Sequence, residues 1–177
     1  LRGVSTDVLA QRLRQLEQAG VLRQTTLPPP TAARVYELTD RGHQLEPVLV
    51  ALGRWGSREP LPATTDEMTV DAFAMALATV FDPARARGLD TTLALVVDGD
   101  HLVVRVEDGE LDLRRGAAEQ PQARIQGSVT ALREVLWRGR SLQDAEAEGS
   151  VTVGGLRSVV KRFVKLFPPP VPAPTPT

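Results

Sequence analysis

The sequence predicts an α+β chain built from two modules, and three observations carry that reading. Over residues 4–42 the order is helix, sharp stop, strand, proline-tipped turn, strand and new helix start. Over residues 93–113 three runs alternate apolar and polar positions, separated by Asp98-Gly99 and Asp108-Gly109, dipeptides suited to two-residue hairpin turns. Between these regions Gly53 to Ala63 (GRWGSREPLPA) is rich in Gly and Pro and breaks the helical period, as a linker does. A length of 177 residues suits one large domain or two small ones.

In the first module, Ser5 is placed to cap a helix, because its hydroxyl accepts from a free amide of the first turn. The capping box is incomplete: Val8 stands where it needs Glu or Gln. Leu9, Leu13 and Leu16 form the buried stripe. A rotation of about 100° per residue puts Asp7, Gln11, Arg14 and Gln18 opposite it, with Ala10 at the edge. Gly20 is the stop. Val21, Leu22, Thr25 and Thr26 read as a strand, Pro28, Pro29 and Pro30 interrupt the ladder, and Val35, Tyr36 and Leu38 return it. Asp40 then caps a further helix with Leu45, Val48, Leu49, Leu52 and Trp55 on one face and Pro47 in its first turns.

A polar-faced helix beside a hairpin is the arrangement of a winged helix. Gln pairs with adenine, Arg with guanine or phosphate, and a small Ala10 permits close approach to a groove. Arg23 and Arg34 lie on the hairpin, within reach of phosphates or the minor groove. The same helix face also suits a solvated surface, and the Leu45–Trp55 stripe suits either intradomain core or a second copy of the chain.

Composition narrows the classes further. No apolar run approaches the roughly 20 residues needed to cross a bilayer, and no signal peptide opens the chain. Without cysteine there is no disulfide framework or thiolate chemistry. These features fit a cytoplasmic protein. Residues 1–59 carry eight arginines against six acidic residues, and the remainder thirteen basic against sixteen acidic. That excess is too mild to identify a nucleic-acid binder by charge alone.

In the second module, Thr64 with Glu67 offers a capping-box start. Val70, Phe73, Ala74, Leu77, Val80 and Phe81 follow at helical spacing until Asp82 and Pro83 end or kink the helix. After the three alternating runs, Ala123–Gly127 adds a strand. Helices resume at Val129–Leu136 and at Ser141–Ala147, the latter with a Ser141…Asp144 cap. Val151–Val153 is a short strand, and Leu156, Val159, Val160, Phe163, Leu166 and Phe167 mark a last apolar helix. Residues 168–177 contain six prolines and are expected to be extended and disordered.

The capped helix, the RLRQLEQAG ending, the LPPP turn, YELTDRG at Tyr36–Gly42 and LEPVL at Leu45–Leu49 together resemble the HxlR-type winged helix-turn-helix regulators, relatives of the MarR group, over about residues 3–56. The resemblance implies a homodimeric transcriptional regulator bound to double-stranded DNA. Its recognition helix spans about Thr6–Ala19, its wing about Val21–Thr39, and Leu45, Val48, Leu49, Leu52 and Trp55 join the dimer interface. Ser5, Thr6, Asp7, Ala10, Gln11, Arg14, Arg23 and Arg34 become the DNA-facing residues. Two to three helices that precede the recognition helix in that family have no counterpart before Leu1, so the chain reads as truncated. Leu9, Leu13 and Leu16 are then expected to form an exposed apolar patch.

The second module, about residues 66–167, resembles the sterol carrier protein type 2-like domain through LVVDGDHLVVRV, the following DGELD, ARIQG, GRSLQDAEAEGSVTVGG and the closing helix. An antiparallel sheet covered by helices is the expected fold. The resemblance implies an apolar cavity holding a lipid or sterol-type effector, with Phe73, Leu77, Phe81, Leu132, Leu136, Trp137, Phe163 and Phe167 as candidate lining. Each of those side chains serves equally as plain core.

Neither His43 nor His101 has a nucleophile or a second ligand in a catalytic or zinc-binding spacing, and Gly154-Gly155 lacks a phosphate-loop pattern. The acidic residues near the hairpins match no calcium loop. The reading is therefore a non-enzymatic regulator without cofactor or metal. Its domains are expected at 1–58 and 66–167, joined by a linker at 59–65. The alternative is a lipid carrier or scaffold that uses the winged helix only to dimerise. Salt-dependent duplex binding separates the two.

Overall fold

The computed structural model describes residues 5–56 and 68–169. The chain divides by contacts into two compact units, Leu1–Leu52 and Gly53–Thr177. The expected linker at 59–65, the Thr64–Glu67 helix start and residues 170–177 of the tail lie outside the described residues.

In the first unit α1 spans Thr6–Gln18, and the Ser5 hydroxyl accepts from the Val8 amide at 3.4 Å. Gly20 adopts φ 70°, which lets the Gly20 and Val21 amides turn back onto the Glu17 and Leu16 carbonyls. β1 (Leu22–Thr26) and β2 (Arg34–Leu38) pair antiparallel, with Arg23 opposite Glu37 and Thr26 opposite Arg34.

The following helix differs from expectation in two ways. Its cap is Thr39 rather than Asp40: the Thr39 hydroxyl accepts from the Gly42 amide at 3.1 Å and donates to the Gly20 carbonyl at 2.6 Å. That second bond, to the end of α1, fixes the cap one residue early. The helix is also two pieces, α2 (Asp40–His43) and α3 (Glu46–Gly56). Pro47 has no amide to donate to the His43 carbonyl, so the helical ladder is interrupted at the Gln44–Leu45 turn. Gly42 is buried, and a Cβ there would sit 2.3 Å from the Val21 carbonyl oxygen.

In the second unit α4 (Val70–Val80) is capped by Thr69, and Asp82 caps the short α5 (Pro83–Ala86), so the helix does break where the Asp-Pro pair requires. The strands are β3 (Thr91–Val97), β4 (Asp100–Glu107), β5 (Glu110–Arg115), β6 (Ala123–Gly127) and β7 (Val151–Gly155), in the sheet order β5-β4-β3-β6-β7. Both Asp-Gly pairs take positive φ and close two-residue hairpins.

The sheet is mixed rather than antiparallel, because β6 runs parallel to β3. Residues 116–122 carry the chain back from the β4 start, where the Gly116 amide meets the His101 carbonyl, to the β3 start, where the Gln122 amide meets that of Thr92. The next strand therefore sets out from the same end as β3.

α6 (Val129–Trp137), α7 (Leu142–Ala147) and α8 (Arg157–Lys165) complete the unit. α6 starts on the first hairpin turn, where the Asp98 carboxylate accepts from the Val129 amide at 3.2 Å. α8 is shorter than expected and amphipathic rather than apolar throughout. Leu156 precedes it and is exposed, while Leu166 and Phe167 follow it and are buried. Its Val159, Val160 and Phe163 face the core.

Candidate functional site

The exposed face of α1 presents Thr6, Asp7, Gln11 and Arg14, with Ser5 just before it and Ala10 half-buried at its edge. Arg14 makes no hydrogen bond or ion pair among the described residues, whereas Arg12 donates to Gln15 at 3.0 Å. On the hairpin the two expected arginines differ. Arg23 donates to the Glu37 carboxylate directly across the ladder at 2.6 Å, so its charge is already matched. Arg34, beside the turn, is exposed and pairs with none of the described residues. Helix and hairpin are held by backbone and side-chain ties: the Val21 amide to the Leu16 carbonyl, the Thr39 amide to the Val21 carbonyl, and the Thr39 hydroxyl to the Gly20 and Val21 carbonyls.

α1 contains no buried residue: Leu9 and Leu13 are half-buried and Leu16 is exposed. Leu45, Val48, Leu49, Leu52 and Trp55 are all exposed, Trp55 at 70 %. Leu45, Val48, Leu49 and Leu52 are the part of this stripe that belongs to the first unit, and Trp55 falls in the second.

Seven of the eight side chains expected to line a cavity are packed into one core. Phe73, Leu77, Phe163 and Phe167 are essentially closed to solvent, and Phe81, Leu132 and Leu136 nearly so. Phe163 meets Phe167 edge-on at 4.9 Å, and Phe81 lies 6.1 Å from Phe167. Trp137 differs. It is half-buried, tilts against Phe73 at 5.6 Å, and lines an open apolar hollow of about 490 Å³.

That hollow lies on the face of α4 opposite Phe73 and Leu77. Its other lining residues, missed in the sequence, are Met68, Ala72, Met75, Ala76, Thr79, Val80 and Arg133, with Gly53 and Gly56. Small residues at helical spacing opposite a bulky apolar stripe were the available signal. No cluster of potential metal ligands occurs among the described residues, and none of their helices is long and apolar enough to cross a membrane.

These features define a two-domain chain, a winged helix-turn-helix followed by an α+β domain with a mixed sheet. Residues 1–62 match the HxlR-like helix-turn-helix, and residues 60–173 match the alkyl sulfatase C-terminal domain. The chain belongs to the alkyl sulfatase C-terminal family and carries an HxlR-like helix-turn-helix ahead of that domain.

An HTH-type transcriptional regulator of Synechocystis sp. is 42% identical over 57 residues, covering 32% of this chain and 42% of the relative. One of Bacillus subtilis is 33% identical over 66 residues, covering 37% of this chain and 61% of the relative. The chain thus spans less than two thirds of either curated relative. The stereoselective inverting sec-alkylsulfatase of a Pseudomonas sp. shares the second fold, with a TM-score of 0.53 and 22% identity over 62% of this chain and 17% of that one. Sterol carrier protein 2 of Yarrowia lipolytica aligns at a TM-score of 0.45 and 8% identity, over 60% of this chain and 98% of that one.

Proposed function

We propose that this chain is a DNA-binding transcriptional regulator that works in the cytoplasm as a homodimer and responds to an apolar effector in its second domain. The observation that carries the DNA reading is Arg14 beside Gln11 on the exposed face of α1, next to a hairpin bearing Arg34, both arginines unpaired among the described residues. The HTH-type regulators among its relatives support it.

Gln11 and Arg14 read base edges, with Ala10 leaving room at the groove. Ser5 and Thr6 contact the backbone, Asp7 borders the contact, and Arg34 reaches the phosphates or minor groove from the wing. Arg23 stays with Glu37 and contributes less. The exposed Leu45–Trp55 stripe pairs two copies, which places two reading helices on half-sites about one turn, or ~34 Å, apart.

The effector changes operator affinity by binding one state of the dimer better than another. Domain limits of 1–58 and 66–167, a linker at 59–65 and a tail at 168–177 accompany this reading. An enzymatic role is not part of it: the sulfatase likeness is confined to 17% of that enzyme's chain.

The test is a titration of duplex containing the chain's operator, selected from random sequence, at several salt concentrations. Arg14→Ala is expected to weaken specific binding by about 1–3 kcal/mol. Unchanged affinity removes Arg14 from the site. Salt-independent binding by the parent protein sinks the DNA reading and leaves the carrier alternative.

A further inference from the structure

We infer that the hollow on the outer face of α4 is a binding site for an amphipathic monoanion, whose apolar body lies over Ala72 and Ala76 and whose head group pairs with Arg133. The proposal rests on the effector reading for its regulatory consequence but not for the site itself.

Three observations carry it. The hollow holds about 490 Å³, within the size of small-molecule sites, and its walls are almost wholly apolar. Ala72 and Ala76 make a low floor, and Met68, Met75 and Val80 stand around it. Unbranched methionines adapt to an apolar guest without fixing its shape.

Second, Arg133 is the one charged residue among the described residues lining the hollow. It is half-buried and makes no hydrogen bond or ion pair among the described residues. The neighbouring carboxylate, Glu134, is turned to Arg140 at 2.8 Å instead. A partly desolvated guanidinium in an apolar wall lacks an anion, and a carboxylate or sulfo head group presents the paired oxygens that its fork matches.

Third, Trp137 lies four residues after Arg133 on α6, so the two share a face. Its indole Nε1 is buried without an acceptor among the described residues. An indole N–H normally finds a partner when buried, and the proposed one is a head-group oxygen held by Arg133, reached as the ring turns toward the guest.

The site is separate from the space between sheet and helices. That space is occupied by Phe73, Leu77 and Leu132 of the same helices, together with Phe163 of α8.

Decanoate, decanol and decyltrimethylammonium are the probes, and the indole N–H resonance of Trp137 in the full chain, assigned with Trp137→Phe, is the readout. Decanoate is expected to move that resonance saturably. Decanol should bind about ten-fold more weakly and the cation more weakly still, since both lack the charge-assisted bond. Arg133→Gln should erase the preference for decanoate over decanol, and Ala76→Phe should abolish both by filling the floor.

Equal binding of decanoate and decanol, or an Arg133→Gln protein that keeps the preference, overturns the proposal. Arg133 is only half-buried, so this variant tests the site even if Ala76→Phe fails to fold. Operator titrations with and without decanoate separate the two readings. A saturable Trp137 shift without altered operator affinity leaves the site standing and ends the effector role. Altered affinity with a silent Trp137 does the reverse.

Discussion

Replacing Thr39 by Val isolates the hydroxyl that joins the stop after α1 to the start of the next helix. Thr39 accepts from the Gly42 amide and donates to the Gly20 carbonyl, so one oxygen serves both a helix N-cap and the stop after α1. Valine keeps the branched shape and the extended backbone of this position, φ −81° and ψ 173°.

Loss of an N-cap costs about 1 kcal/mol. The Gly20 carbonyl is exposed and regains water, so its bond adds a value at the low end of about 0.5–1.5 kcal/mol. Together they destabilise the junction by about 1–2 kcal/mol, equivalent to a factor of about 5–30 in the local opening equilibrium.

Hydrogen exchange of the Val21, Thr39 and Gly42 amides measures it without assuming that both units unfold together. Thr39→Val should accelerate exchange there by that factor, while Thr39→Ser stays near the parent. The weaker junction should also lower operator affinity, because helix and wing no longer share one geometry. Unchanged exchange in Thr39→Val, or a serine variant as labile as the valine one, refutes the shared-hydroxyl account.

Gly42→Ala is expected to destabilise the first unit by about 1–3 kcal/mol, read as faster exchange of the β1 amides, since its Cβ would strike the Val21 carbonyl, a backbone atom with no rotamer to retreat into. Arg34→Ala should reduce the salt dependence of duplex binding by about one phosphate contact across sequences, whereas Arg23→Ala should leave it nearly unchanged because Glu37 already holds that guanidinium. Phe163→Ala should cost about 3–5 kcal/mol in denaturant unfolding of the second unit, because the ring is closed to solvent and packed edge-on against Phe167.

Local chemistry made much of the fold legible. Ser5 and Gly20 bound α1, and Asp98-Gly99 and Asp108-Gly109 turn the strands as their dipeptides require. What the sequence concealed depends on tertiary contact. Thr39 and Asp40 are both good caps, and only the Gly20 carbonyl selects between them. Alternation at β6 shows which side chains face inward but not which way the strand runs, so its parallel pairing with β3 was invisible.

The same limit applies to the sites. Phe73 and Leu77 have the composition of a cavity wall and of a core, and they are core. The hollow instead arises from what Ala72 and Ala76 leave empty, and an absence of side chain leaves a weaker trace in a sequence than its presence. Arg23 and Arg34 look alike along the chain, but cross-strand register gives Glu37 to one and no comparable partner to the other.

The two outer strands of the sheet bear on how copies of this chain meet at high concentration. β5 places Glu110, Asp112, Arg114 and Arg115 along one margin, charges that resist docking of a foreign strand. β7 ends at Gly155, whose φ of 73° turns the backbone out of the pleat, and whose hydrogen atom faces the Gln122 carbonyl where a Cβ would lie at 2.5 Å. Neither margin is a template for continuous cross-molecular β-structure, so fibrillar growth from the folded second unit is disfavoured.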